Sequence, residues 1–287
     1  MKIKTFGFRG QVSPLPDLEQ LFVEMGHQIV DFDTEADLCL NMMTDQEYDK
    51  TIEYKKKYPN CKLILNLLNY PTDNPEYTKR LPEILSFANL ITTVSEFTTK
   101  DVLDKTGYGS KVLYYPIKNI FQLNIQRDIP FLYVGRLYST QKRFNLIPKI
   151  LQHLGANDKY LYISGPEYSP FGQNLGFLKE SDLNIVYNRS KYVLCPCSYE
   201  GSMMMIEGVI AGCFPIVCND NNWVNEFRLN DFASAPDPIK IAQKIIDIER
   251  NESFYREKLL SLKDWYLEKM DIKNIAKRVI SYYDTLS

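Results

Sequence analysis

Short apolar runs alternate with amphipathic ones along most of the 287 residues. This alternation constrains the fold more than any other feature of the chain. Parallel strands cannot be joined by tight turns and need a crossover, usually a helix, so a chain of this kind reads as α/β with parallel sheets. "IKTFGF" is the first candidate strand, followed by a loop with Gly7 and Gly10 and a helix beginning near Pro16. "HQIVDFD", "ADLCLNMM", "KLILNLL" and "ANLITTVS" read as further strands. The helix "SEFTTKDVLDKTG" has Ser95 as its N-cap and Gly107 just past its end, and "KVLYYPI" completes the first half.

The pattern loosens from Asn119 to Asp128, which places a domain boundary there, between residues 1–120 and 128–264. A second series follows: "PFLYVGRL", the helix "NLIPKILQHLG", "KYLYISG", "DLNIVYNRS", "KYVLCPCS", a helix from about Ser202, and "CFPIVC". Three helical stretches come last. Two doubly wound halves in tandem lead to the expectation of a cleft at the carboxyl ends of their strands, where a ligand binds.

Composition narrows the chemistry. With 45% hydrophobic and 24% charged residues the chain can bury a substantial core. A formal charge of -2 argues against broad attraction to nucleic acid or anionic lipid. No apolar run is long enough for a signal peptide or a bilayer crossing, so the expected location is cytoplasmic. The aromatics and lysines of "FYREKLLSLKDWY" admit peripheral membrane contact, although a solvated helix with an apolar core face has the same pattern. In "CPC" one residue separates the cysteines where zinc sites want two to four, so the six cysteines read as buried thiols and no metal is expected. Only His27 and His153 are present, which leaves little room for a histidine metal centre or triad.

Two constellations carry chemistry. In "SYEGSMMMIEGVIAGCFPIV" a strand runs into a turn at Tyr199–Gly201 and then a helix capped by Ser202 and ended by Gly212. A helix start at the end of a parallel strand offers free N–H groups to phosphate. Glu200 stands before that helix and Glu207 just over a turn inside it, where a carboxylate can accept two hydroxyl hydrogen bonds from a ribose or sugar. The bland alternative is a pair of acids near a helix start on a solvated face. In "YVGRLYSTQKRFNLI" Gly135 ends a strand, Arg136 follows, and Lys142 and Arg143 stand before the next helix. Cations flanking a cleft can neutralise a departing diphosphate, though loop cations are usually only solvated.

These segments, with "YLYISGPE", "LGFL" and "ANLITTVSEFTTKDVLDKTG", resemble the ordered landmarks of the retaining nucleotide-sugar glycosyltransferases of family 4, over roughly residues 88 to 227. The resemblance implies the GT-B fold: two Rossmann-like, doubly wound domains facing across a cleft, the first on the acceptor side and the second binding the donor. The last helix, about 265–287, resembles the segment that crosses back to the first domain. By the same resemblance Arg136 and Lys142 hold the donor diphosphate and Glu207 holds the ribose. Glu200 contacts the donor sugar, Ser202 and Met203 supply helix-start amides, and Phe177 lies against the base. Gly135 ends the strand before the basic pair, and Gly10 corresponds to a glycine-rich loop near the phosphates. The glutamates are spaced E-x6-E where the family has E-x7-E, and Asn69 and Asp73 are the polar groups where many relatives carry a histidine.

The activity so implied is metal-independent transfer of a sugar, with retention, from a nucleotide-diphosphate donor to an unidentified acceptor, without a further cofactor. Alternatives of the same fold are a sugar-nucleotide epimerase, a non-catalytic nucleotide-sugar-binding protein, and a transferase acting on DNA.

Overall fold

The structure, a computed structural model, describes residues 1–7, 13–42, 47–67, 75–122, 125–198 and 203–286, without the side chains of residues 75–78. The chain divides into two compact units, Met1–Ile117 with Lys269–Ser287, and Lys118–Glu268.

The first unit is built on six parallel strands, β1 Lys2–Gly7, β2 Gln28–Ile29, β3 Leu38–Met42, β4 Lys62–Leu67, β5 Leu90–Thr93 and β6 Lys111–Val112, in the order β2-β1-β3-β4-β5-β6. The connecting helices are α1 Leu15–Glu24, α2 Tyr48–Lys57, α3 Pro75–Ser86 and α4 Glu96–Thr106. β3 and β4 are buried on both faces and read as nearly unbroken apolar runs, as covered parallel strands do. Ser95 caps α4 by accepting from the Thr98 N–H at 3.0 Å, and Gly107 closes it in the left-handed conformation, φ 75°. "HQIVDFD" yields only the two paired residues of β2, because the chain turns away at Asp31–Thr34. So short an edge offers little to a foreign strand.

The second unit has β7 Ile129–Val134, β8 Leu161–Ser164, β9 Gln173–Gly176, β10 Ser190–Cys195, β11 Phe214–Cys218 and β12 Ala233–Ser234, all parallel, in the order β12-β11-β10-β7-β8-β9. Its helices are α5 Ile147–His153, α6 Glu180–Arg189, α7 Met203–Ile210, α8 Trp223–Glu226, α9 Pro238–Arg250 and α10 Glu252–Met270. "DLNIVYNRS" is the body of α6, although it stands among strand-like runs in the sequence. An apolar stretch so short has no readable period, but its first-turn acids Glu180 and Asp182 suit a helix start, and Leu183 and Tyr187 share its buried face. Across the sheet Phe131, Tyr192, Phe214 and Phe232 form a ladder with ring centroids 5.6, 5.7 and 6.4 Å apart. Aromatic pairs of this kind stabilise a sheet by ~0.5–1.5 kcal/mol each beyond their burial.

The chain then returns to the first unit as α11, Ile272–Asp284. Ile272, Ile275, Ala276 and Val279 recur at helical spacing and pack with Leu15, Leu18 and Phe22 of α1 and with Leu38 and Leu40 of β3. Each large aliphatic side chain buried there contributes ~1.5–3 kcal/mol. Among the described residues no helix is long and apolar enough to cross a membrane.

Candidate functional site

The strand order of the second unit reverses direction between β7 and β10: β8 and β9 lie to one side, β11 and β12 to the other. Loops leaving the two strands diverge there, and in open α/β sheets ligands bind outside the carboxyl ends at such a point. Of the site residues described here, Gly135, Arg136 and Lys142 come from the stretch after β7, Met203 and Glu207 from the helix that follows β10, and Phe177 from the exit of β9.

Backbone contacts lace the strand ends together. The Gly135 N–H donates to Ser164 O at 2.9 Å, and the Gly165 N–H donates to Gly176 O at 3.1 Å. A Cβ at Gly165 would stand 2.3 Å from Gly135 O, and Gly135 itself has φ 139°, so both positions need glycine. Beyond them the Leu137 N–H donates to Glu167 Oε2 at 3.2 Å and the Tyr138 hydroxyl to Tyr168 O at 3.0 Å. The loops after β7 and β8 thus form one braced rim.

Arg136 sits on that rim with its carbonyl accepting from the Tyr133 hydroxyl at 2.7 Å. The Arg136 guanidinium is exposed and has no hydrogen-bond or ion-pair partner among the described residues. Lys142 ends a 3-10 turn, Thr140–Lys142, with its N–H on Ser139 O. Its ammonium is likewise unpaired among the described residues. Arg143, the next residue, is engaged: its two terminal nitrogens hold Asp220 at 2.9 and 2.6 Å. The Ser198 N–H donates to Gln141 O at 2.9 Å and joins the exit of β10 to the turn that carries Lys142. Beneath this turn Cys195 and Cys197 lie with sulfurs 3.5 Å apart. The hydrogen bond with Cys195, aided by the charges of Lys142 and Arg143, draws the Cys197 thiol below its ordinary range against the opposing effect of burial.

Helix α7 begins at Met203, and the Met204 sulfur accepts from the N–H of Val134, the last residue of β7. The helix lies close on β10 because position 208 has no side chain: a Cβ there would be 3.0 Å from Val193. Glu207 follows one turn in. Its Oε2 accepts from the hydroxyl of Tyr187 on α6 at 2.7 Å. Burial pushes the Glu207 carboxyl above its ordinary range, the Tyr187 hydrogen bond opposes this, and the charge of Glu180 adds to it. Phe177 follows β9 directly and is 61% exposed at the same rim.

No family model matches the chain, and no curated protein matches its sequence. Solved structures do. A glycosyltransferase from Rickettsia africae has a TM-score of 0.75 at 12% identity, covering 99% of this chain and 98% of that one. Anabaena Alr3699/HepE in complex with UDP-glucose has a TM-score of 0.76 at 10% identity, covering 99% and 100%. An alpha-glucosyltransferase in complex with UDP and a 13-mer DNA has a TM-score of 0.70 at 11% identity, covering 99% of both chains.

The fold is GT-B. Within the second GT-B unit the structure brings Gly135, Arg136, Lys142, Met203, Glu207 and Phe177 to the carboxyl end of one sheet. Gly10, Glu200 and Ser202, and with them Asn69 and Asp73, lie outside the described residues. The sequence alone does not mark Tyr187 or Asp220 as partners of these residues. A tyrosine inside an apolar run does signal a buried hydroxyl in need of an acceptor, but the partner is 20 positions away and on another helix. All six cysteines are buried free thiols. No group of three or more His, Cys, Asp or Glu among the described residues is arranged to hold a metal ion. A cavity of about 570 Å³ lined by Lys2, Asp37, Lys62 and Tyr283 opens in the first unit at the amino ends of its strands, on the wrong edge for a GT-B ligand.

Proposed function

We propose that this protein is a glycosyltransferase that takes a sugar from a nucleoside-diphosphate donor and passes it, with retention, to an acceptor bound on the side of the first unit. The observation that carries the reading is the pairing pattern at the switch point of the second unit. Among the described residues Arg136 and Lys142 are left without partners while Arg143 beside them is held by Asp220, and one carboxylate oxygen of Glu207 on the adjoining helix is unpaired. Two cations for a diphosphate and one acid for a ribose are what a donor of this class requires. Complexes of structurally similar proteins with UDP-glucose and UDP support the same reading.

In this mechanism Glu207 anchors the ribose, Phe177 lies along the base, and the amides at Ser202 and Met203 meet phosphate and sugar. Glu200 orients the donor sugar. The bond between the anomeric carbon and the diphosphate oxygen breaks as the acceptor oxygen bonds to the same face of that carbon. The acceptor proton passes to the departing diphosphate, whose charge Arg136 and Lys142 stabilise. This chemistry draws on side-chain cations, and we assign it no metal.

A thermal-shift panel of nucleoside diphosphates and their sugars tests the donor half, because a bound donor raises the melting temperature by mass action. Stabilisation by UDP-sugars, lost in Arg136→Ala, is the expected result. A chain that no nucleotide sugar stabilises, and that releases no sugar from any, would refute it.

A further inference from the structure

Tyr187 has no part in the mechanism above, yet it makes the closest polar contact of Glu207. Its ring is fully buried, and its hydroxyl donates to Glu207 Oε2 at 2.7 Å. At its other end the Tyr187 carbonyl accepts from the Cys213 thiol at 3.0 Å, so backbone and phenol are both held. The bond fixes one carboxylate oxygen and leaves Oε1 without a partner among the described residues.

We propose that Tyr187 is a positioning residue: it locks the Glu207 carboxylate so that Oε1 receives the ribose hydroxyls, and through that bond it sets a preference for ribonucleoside over 2′-deoxyribonucleoside diphosphates. The inference rests on the donor-site reading above. A group aligned to accept a hydroxyl discriminates strongly against a ligand that lacks it, whereas a carboxylate free to rotate can satisfy itself elsewhere. The phenol also helps keep Glu207 ionised. Burial and the charge of Glu180 favour its protonated form, and the Tyr187 hydroxyl favours the carboxylate. Near the phenol lie the thiols of Cys195 and Cys213, both buried. Removing the hydroxyl lets Glu207 hold its proton to higher pH, and the acid limb of nucleotide binding moves upward with it.

The test is calorimetric titration of the full chain with UDP and 2′-deoxy-UDP, from about pH 5 to 8, for wild type, Tyr187→Phe, Glu207→Gln and the double variant. Wild type should prefer UDP by ~10-fold or more. Tyr187→Phe should lose most of that preference and shift its acid limb to higher pH. The double variant should match Glu207→Gln alone, because the two residues act as one unit. A Tyr187→Phe variant with the wild-type preference and acid limb overturns the inference and leaves the donor site standing, and so do losses that simply add in the double variant. Wild type that binds neither UDP nor GDP nor ADP removes the donor site itself, and the inference with it. If circular dichroism finds Tyr187→Phe unfolded, Glu207→Asp replaces it. That variant draws the carboxylate one methylene away from the intact ring, should also lose the preference, and overturns the inference if it does not.

Discussion

Arg143 directs both terminal nitrogens of its guanidinium at Asp220, at 2.9 and 2.6 Å, from a left-handed backbone position, φ 48°. A forked, two-point contact of this kind occupies the hydrogen-bonding edge of arginine that would otherwise meet phosphate. Lys142, its neighbour in the chain, has no such partner among the described residues. Two adjacent cations therefore differ: one braces the loop through Asp220, and the other is the one proposed above to meet a ligand.

Mutation distinguishes them. Arg136→Ala and Lys142→Ala should each lower turnover of a nucleotide sugar by ~10²-fold, the scale of losing one donor to transition-state charge. Arg143→Ala should act on stability, with a far smaller effect on turnover at saturating donor. Steady-state kinetics beside thermal melts of the three variants makes the comparison.

Glu207 should show a conflict between stability and binding. Its pKa in the folded chain is raised by burial, so the native state binds more protons than the unfolded chain as pH climbs through and above the ordinary glutamate range. Stability attributable to this group is therefore present at low pH and lost as pH rises through that window. Glu207→Gln keeps an acceptor for Tyr187 without the charge. It should melt no lower than wild type at neutral pH, lack this part of the pH dependence, and bind UDP more weakly. Melting curves over pH with a matching UDP titration check all three outcomes.

The contact of Gly165 with Gly135 leaves no room for a methyl group. Gly165→Ala would place a carbon 2.3 Å from a backbone oxygen, and overpacking of this kind costs ~1–3 kcal/mol. The strand ends must move apart to accept it, and Arg136 moves with them. Loss of UDP affinity together with a lower melting temperature is expected. A stable variant with unchanged affinity would show that the rim tolerates displacement.

Ile275 of α11 is fully buried against the first unit. Ile275→Ala should destabilise the fold by ~2–5 kcal/mol, as truncations in tight cores do. Urea unfolding monitored by circular dichroism measures it. The prediction includes unchanged UDP affinity in the fraction still folded, since Ile275 lies in the unit that does not carry Arg136 or Glu207.

On the proposed mechanism donor transfer should also be insensitive to a chelator, since that mechanism assigns the charge stabilisation to Arg136 and Lys142. Turnover with and without EDTA, followed by added magnesium or manganese, tests this. Stimulation by either ion would place part of the charge stabilisation outside the two side chains.

Much of this architecture can be read along the chain, since its strongest signals are local. Ser95 and Gly107 bound α4 because a capping hydroxyl and a left-handed glycine act on their own turn. Gly135 and Arg136 stand where a strand ends, and the sequence displays that end. What cannot be read is who pairs with whom across elements. Arg143 and Lys142 are equivalent cations in sequence, and only Asp220, 77 positions on, separates them. Tyr187 reaches Glu207 from a helix whose short apolar body reads as another strand-like run. Periodicity reports a face toward the core, but it does not report the hydroxyl at the far end of a buried ring.

The return of α11 to the first unit makes that unit discontinuous in the chain, with residues 118–268 inserted between its parts. During synthesis the inserted unit is the first to have all its strands and helices outside the ribosome. Leu15, Leu18 and Phe22, made far earlier, lack the α11 part of their cluster until residues 272–279 emerge. The half begun first is completed last, by a helix that the chain supplies only after the whole inserted unit.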